Sequence, residues 1–342
     1  MRLFLFFSTI ILMLLVTFSI CSTSVISHSP LGGLDNDSLE TASEIPDPTK
    51  SWALYSSLEG PETAQYYVFE INAGERIHVT LQISPSPANS HFTPNLVIMG
   101  PGIANQGTPP PYLEIANGSG VMITEGIWPM QAYYEGFSPS TFYQIAQISL
   151  AAPSNGTYYI AVYGSDRGGQ YGLAVGDRES FTLQEWIQIP FSLIGIYQWE
   201  GQSLLFVMAP MAAMVLIGLI LTWKKLHAKL TPFTFAGSIA GFMFIGTALT
   251  TLAQMVFVLT ITPAVPEVAI TLMFALLPAI LGYLTLRQTL LRKKNVDTKA
   301  RIYLAVLGTL AIFAWAGLLV GPAIALAASA LPSASVASKE NR

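Results

Sequence analysis

The sequence predicts a mixed fold, in which an extracytoplasmic all-β sandwich or jelly roll precedes an all-α bundle of four transmembrane helices. Hydrophobic residues make up 52% of the 342 residues and charged residues only 11%, against the ~25% charge of soluble domains. Long apolar stretches are concentrated after residue 200, whereas short stretches that alternate between apolar and polar residues precede them. The composition indicates a membrane protein, and the order of the two patterns indicates two domains.

Charge divides the chain into an acidic front and a basic back. Between Asp35 and Glu200 lie 17 of the 20 acidic residues, but only four of the 16 Lys and Arg. Binding nucleic acid needs Lys and Arg to neutralise phosphates, so nucleic acid is excluded as a partner of the acidic part. Cys21 is the only cysteine, which excludes an intrachain disulfide.

Residues 1–24 have the pattern of a signal peptide. Arg2 supplies the positive start, an apolar run follows, and Ser22 to Ser24 offer small residues for cleavage. The run is also long enough to serve as an uncleaved anchor. In either case the polar stretch at 29–60 and the whole domain at 30–180 are expected outside the cytoplasm.

The clearest strand pattern lies at 76–83. Ile77, Val79, Leu81 and Ile83 alternate with polar residues, which gives one buried and one exposed face. Further strands are predicted at 66–71, 95–99, 121–124, 142–150, 157–163 and 171–175, with a long irregular loop at 101–119. Short strands at this spacing favour a sandwich or jelly roll.

Two of these hairpins resemble those of the bacterial pre-peptidase C-terminal (PPC-like) domains. Residues 66–77 (YYVFEINAGERI) resemble the first hairpin of that family. Residues 156–163 (GTYYIAVY) and 169–175 (GQYGLAV) are similar to its closing hairpin. The resemblance covers roughly 50–176 and implies a β-sandwich appended to a secreted or surface protein. Some members accompany proteases, but the domain itself is not the catalyst, and the resemblance assigns no ligand.

Residues 181–200 form an aromatic segment that carries no charge between Glu185 and Glu200. It is too short to span a bilayer, which takes about 20 residues. Trp186, Tyr197 and Trp199 suit the headgroup layer, so we expect an interfacial segment that is broken near Pro190. The alternative is that the segment packs under the β-domain.

Four transmembrane spans are predicted, at 203–223, 233–262, 265–290 and 302–331. Basic residues are clustered in the first and third connections, and these connections are therefore expected in the cytoplasm by the positive-inside rule. The β-domain and the polar tail at 332–342 are then expected outside, in a multi-pass protein of the cell membrane.

Residues that could carry chemistry are few. The sequence contains no His-Glu-x-x-His, no Gly-x-Ser-x-Gly and no Walker-type loop, so no enzyme, catalytic residue or cofactor is predicted. Weak metal candidates are Asp35, Asp37 and Glu40 for calcium and Met208, Met211 and Met214 for copper. Plain packing is the alternative for the methionines.

Other residues point to packing or modification. Gln254 is the main strongly polar residue within a span and is expected to form an interhelical hydrogen bond. Small residues four apart favour close helix contact, within one bundle or between copies; they are Gly237, Gly241, Gly317, Gly321 and Ala325. Candidate glycosylation sites are Asn36, Asn117 and Asn155.

These observations favour a non-enzymatic cell-surface glycoprotein whose β-domain binds or stabilises an extracellular protein, a glycan or an envelope component. The helices would anchor it in the bilayer, or join a homo-oligomer or a membrane complex. The alternative is a component that transports a small solute or copper, with the β-domain as a loader or gate. The near-absence of charge within the spans argues against ion-coupled transport.

Overall fold

The computed structural model describes residues 29–31, 36–164, 166–226, 230–292 and 295–332. The predicted signal peptide, Asp35 and most of the predicted tail lie outside the described residues. The described chain forms two compact units. The β unit comprises residues 29–135 and 140–201, and the helical unit comprises residues 136–139 and 202–332. The predicted order, β structure followed by apolar helices, is confirmed.

The β unit contains two sheets. The first has the strand order β1-β3-β11-β5-β9-β8, and the second has the order β2-β4-β10-β6-β7. Neighbouring strands are antiparallel except for the pairs β1–β3 and β2–β4, which are parallel. The strands are β1 (Ser29–Leu31), β2 (Ser43–Glu44), β3 (Trp52–Leu58), β4 (Ala64–Ile71), β5 (Arg76–Ile83), β6 (Asn95–Gly100), β7 (Gly120–Thr124), β8 (Tyr133–Glu135), β9 (Ser140–Ala151), β10 (Gly156–Tyr163) and β11 (Gly169–Val175).

Both sheets contribute to one hydrophobic core. Val79 and Leu81 of β5 in the first sheet and Phe69 of β4 in the second are all buried in it. The apolar residues of β5 are buried as predicted and Arg76 is exposed, but Thr80, which was expected on the exposed face, is buried as well. Residues that alternate in this way bury one side of each strand, which is why the two sheets share a core.

A buried polar cluster connects the two sheets. The hydroxyls of Tyr67 in β4 and Tyr171 in β11 are 2.7 Å apart. The Tyr171 hydroxyl also donates to Oε1 of Gln65, which accepts from Ser56 Oγ of β3 at 2.6 Å. Burial raises the pKa of both tyrosines, so they remain neutral and can donate. The hydroxyls of Tyr67, Tyr171 and Ser56 therefore each have a partner, as burial requires.

Strand β3 lies where a polar stretch was expected. Its sequence, WALYSSL, mixes serines with apolar residues, so its alternation is weak. The strand is nevertheless paired on both sides, with β1 and with β11. The prediction failed here because pairing partners far away in the chain decide the conformation of a short ambiguous stretch.

The aromatic segment forms helix α1 (Leu183–Trp199), which belongs to the β unit. The predicted break at Pro190 is wrong, because this proline lies inside the continuous helix. A capping box begins the helix: Thr182 Oγ1 accepts from the Glu185 N–H, and Glu185 Oε2 accepts from the Thr182 N–H. The Glu185 carboxylate also forms a largely buried ion pair with Lys50 at 2.5 Å.

The described part of the helical unit contains five α-helices: α2 (Leu204–Leu226), α3 (Pro232–Val258), α4 (Val268–Gln288), α5 (Thr298–Phe313) and α6 (Val320–Ala330). Three of them, α2 to α4, are long and apolar enough to cross a membrane. The single helix expected at 302–331 is instead two helices, α5 and α6, bent by 118°.

We expect Glu185→Gln to lower the free energy of unfolding by about 2 kcal/mol at neutral pH, because Lys50 would remain buried without its charged partner. Burial alone would raise the pKa of Glu185, but hydrogen bonds from Lys50 and Thr182 outweigh it and hold this pKa below its usual range. The ionised carboxylate therefore stabilises the fold above the unfolded-state pKa of about 4.3. The difference between wild type and variant should shrink as the pH falls below that value.

Urea denaturation of the full-length protein in detergent, followed by tryptophan fluorescence, measures this difference. Asp177→Asn is the matched control, because its ion pair with Arg76 is about half exposed on both sides and should contribute less than about 1 kcal/mol. Equal losses in the two variants would show that the Lys50–Glu185 pair does not hold α1.

Candidate functional site

The connection between α5 and α6 has the most unusual backbone of the helical unit. Trp315, Gly317, Leu318 and Leu319 all have positive φ, between 44° and 66°. Three of these residues carry side chains that disfavour the left-handed region, at a cost of about 1–2 kcal/mol each. Such strain persists only where the surroundings hold the backbone in place.

Helix α3 supplies one of the groups that hold this connection. The Gly317 N–H donates to Thr247 Oγ1 at 2.6 Å, and the same hydroxyl donates to the Met243 carbonyl of its own helix at 3.4 Å. A side chain added at Gly317 would lie 3.1 Å from Met243 Cβ. Because water does not satisfy backbone groups in hydrocarbon, the Thr247 hydroxyl replaces a bond that the broken helix lost.

Helices α5 and α6 form a hairpin whose ends lie together. Arg301 Nη1, in the first turn of α5, donates to the carbonyls of Ser329 and Leu331 at 2.9 and 2.6 Å, at the end of α6. The Phe233 N–H, at the start of α3, donates to the Pro332 carbonyl at 3.4 Å. The end of α6 therefore lies at the same end of the unit as the beginnings of α3 and α5.

The short segment at 136–139 lies against the hairpin connection. The Phe137 ring contacts Trp315 edge to face, with centroids 5.7 Å apart, and Phe274 of α4 at 5.1 Å. Thr271 Oγ1 of α4 donates to the Gly136 carbonyl at 2.6 Å. This aromatic contact and this hydrogen bond connect the segment to both α4 and the connection.

A row of polar side chains on α3 continues past the hairpin. Thr247, Thr250 and Gln254 are spaced by three and four residues, so they lie on one face of the helix. Gln254 is 1% exposed. Its Oε1, like Thr250 Oγ1, has no hydrogen-bond partner among the described residues. The interhelical hydrogen bond expected for Gln254 is therefore not made by this oxygen.

The metal candidates do not come together. Among the described residues, no three His, Cys, Asp or Glu side chains are grouped so as to hold a metal ion. Asp37 accepts from Thr41 Oγ1 at 3.3 Å, and Glu40 is exposed. Two methionines of α2 have packing contacts, since Met211 is buried close to Gly246 and Met214 packs beside Phe242, while Met208 is partly buried.

The glycosylation candidates differ in exposure. Asn36 is buried and its Nδ2 donates to the Tyr66 carbonyl at 3.0 Å, so the folded chain does not present it to an enzyme. Asn155 is exposed, although its Oδ1 accepts from the Ala73 N–H at 2.6 Å. Asn117 is exposed in the irregular loop.

Two of the three residues expected at the membrane interface pack inside the β unit. Tyr197 is buried, and Trp199 packs edge to face on Tyr55, with centroids 5.0 Å apart. Trp186 is half buried. The exposed apolar row of α1 consists of Leu183, Ile187 and Phe191, which the aromatic pattern did not single out.

The small residues mark close contacts inside the helical unit. An added Cβ would lie 2.5 Å from Thr289 Cγ2 at Gly237, 2.9 Å from Leu286 at Gly241 and 2.8 Å from the Phe244 ring at Gly321. Ala325 is buried, 3.2 Å from the position of a Cβ at Gly308. Each of these four positions, like Gly317, therefore contacts another helix of the same chain.

Comparison with family models and with curated proteins found no relative. No family model matches the chain, and no curated protein matches it. The resemblance to PPC-like domains gains no support from these comparisons.

We expect Thr247→Val to destabilise the helical unit by about 1–2 kcal/mol, because the Gly317 N–H would be left without its partner in apolar surroundings. Thr247→Ser keeps the hydroxyl and should retain most of the stability. Thermal unfolding in detergent measures both. Thr309→Val is the control, since this exposed hydroxyl bonds only the Ala305 carbonyl of its own helix. A Thr247→Val protein as stable as the control would contradict this role.

Proposed function

We propose that the protein is a non-enzymatic, multi-pass membrane protein that presents a β-sandwich outside the cytoplasm, where this domain binds a partner. The observation that supports this proposal is the asymmetry of the helical unit. Its described basic residues lie at one end, and the described connections to the β unit, at 136–139 and after residue 201, leave from the other end.

The basic end is defined by the ends of three helices. Described basic residues close α2 and α4 and begin α5, with one more just after α4: Lys224, Lys225, Arg287, Arg292, Lys299 and Arg301. One described acidic residue, Asp297, lies among them and pairs with Arg292 at 2.9 Å. The positive-inside rule assigns this end to the cytoplasm.

The opposite end carries the connections. Helix α2 begins there, directly after the β unit ends at residue 201. The segment at 136–139 also lies at this end, because Gly136 is bonded to Thr271 in the first turn of α4 and is close to Glu267. Both observations support an outward-facing β unit without relying on the predicted signal peptide.

In this proposal, the C-terminal tail faces the cytoplasm and not the outside. The expectation that residues 332–342 face outward assumed that 302–331 crosses the membrane once. Helices of 16 and 11 residues are only about 24 and 17 Å long, while the hydrocarbon layer is about 30 Å thick. Because the ends of the α5–α6 hairpin lie together, the hairpin is re-entrant and the tail faces the cytoplasm.

Besides the exposed row on α1, the β unit has an exposed apolar stretch in the connection between β7 and β8. Ile127 is 72% exposed and Met130 fully exposed, while the neighbouring Trp128 packs on Tyr143 at 4.6 Å between ring centroids. An anchored loop that keeps apolar side chains in solvent is typical of an interaction site. Its aliphatic character favours a protein partner over a glycan.

Cysteine labelling of the full-length protein tests this topology. In a Cys21→Ser background, Met130→Cys should react with a membrane-impermeant maleimide on intact cells. Asn295→Cys, in the basic connection, and a cysteine in a tag placed after Arg342 should react only after permeabilisation. Labelling of Asn295→Cys on intact cells would show that the orientation is opposite to the proposed one. Labelling of the tag alone on intact cells would show that α5 and α6 cross the membrane.

A second function, movement of a small polar solute, is favoured by the hairpin. Broken helices and buried polar groups at mid-membrane are typical of transporter sites. In this chain, Thr247 holds the break from near the middle of α3, and the unpaired Gln254 oxygen lies on the same helix face about one turn from the end of α3. The described part of α3 contains no titratable residue, so no side chain of this helix could carry a proton during transport.

Reconstitution of the full-length protein into liposomes distinguishes the two functions. Under the leading proposal, fluxes of K⁺ and Cu⁺ should equal those of protein-free vesicles. Gln254→Leu should then raise the unfolding temperature, because it removes an unpaired buried polar group. Gln202→Leu is a matched control near the start of α2. A flux that Gln254→Leu abolishes and the control retains would replace the leading proposal with the second.

A further inference from the structure

A groove of about 580 Å³ lies in the helical unit at its basic end. Its lining comes from the last turns of α2 and the beginning of α3: Leu219, Ile220, Trp223, Lys224, Leu230 and Phe235. This volume falls within the range of about 300–1,000 Å³ that holds small ligands. The groove is therefore large enough for part of an elongated apolar molecule.

The lining is apolar and open to its surroundings. Trp223 is 67% exposed, and Ile220 and Phe235 are also exposed. These side chains belong to helices that are long and apolar enough to cross a membrane. In a bilayer, such a surface contacts acyl chains, and an exposed tryptophan one turn from the helix end suits the headgroup layer.

Charge distinguishes this groove from an ordinary lipid-facing surface. Lys224 is the one charged residue among the described residues of the lining, and Lys225 follows it on the last turn of α2. Both are exposed, and neither forms an ion pair with any residue that the structure describes. Between residues 202 and 332 the sequence holds two acidic residues, of which Glu267 lies at the other end and Asp297 is paired with Arg292.

We infer that this groove binds one anionic phospholipid of the cytoplasmic leaflet. One acyl chain lies along Leu219, Ile220 and Phe235, and the phosphate lies beside the Lys224 ammonium group. The apolar lining selects a lipid chain, and the adjacent unpaired lysines select a negative headgroup over a zwitterionic one. The site is independent of what the β unit binds.

Native mass spectrometry of the full-length protein tests the site. The protein is taken from vesicles made of equal parts phosphatidylglycerol and phosphatidylcholine, and the retained lipids are counted. Wild type should retain one phosphatidylglycerol, enriched about fivefold over phosphatidylcholine, the factor that one lysine contributes near an anionic surface. Lys224→Gln should remove most of this enrichment.

Two further variants separate the headgroup from the groove. Lys299→Gln removes an exposed charge from the same end but outside the groove and should leave the enrichment unchanged. Ile220→Trp fills the groove and should release the lipid while both lysines remain. Three results would overturn the inference. Wild type could retain the two lipids equally, Lys224→Gln and Lys299→Gln could lose the enrichment equally, or the groove could be covered in a lipid-free dimer.

Discussion

The pairing of backbone polar groups is the constraint on which the structure depends. In apolar surroundings an unpaired N–H or C=O costs several kcal/mol, so only helices and complete ladders are tolerated. The three long helices satisfy this requirement internally. The break between α5 and α6 does not, and the Thr247 hydroxyl satisfies the Gly317 N–H that the break exposes. One polar atom of α3 therefore helps to hold the hairpin in position.

The same constraint explains why the small residues lie where they do. Apolar helices in a membrane gain little from burying surface against one another, so close packing has to hold them together. Gly237 and Gly241 place α3 against Thr289 and Leu286, and Gly321 places α6 against Phe244. Through these contacts α3 packs against most of the helical unit. This packing places Thr247 beside the break between α5 and α6 and keeps Gln254 away from lipid.

Predictions from sequence succeeded where a local pattern was strong. The alternation around Val79 identified β5, and continuous apolar runs identified α2 to α4. They failed where distant contacts decide the outcome. Strand β3 depends on pairing with β11, more than 100 residues later, and Pro190 stays inside a helix that Lys50 helps to hold. The hairpin was missed because an apolar run from 302 to 331 has the same hydropathy whether or not it bends.

The sequence by itself determined the order of a β unit and an apolar helical unit, the strong strands and the concentration of basic residues in two connections. Composition and periodicity are local properties, and burial follows from them directly. Only the tertiary structure decided that the last apolar run folds back, that Phe137 packs against Trp315 and that Tyr197 and Trp199 pack within the β unit. These features depend on contacts between residues far apart in the chain, and a single sequence carries no periodic signal for such contacts.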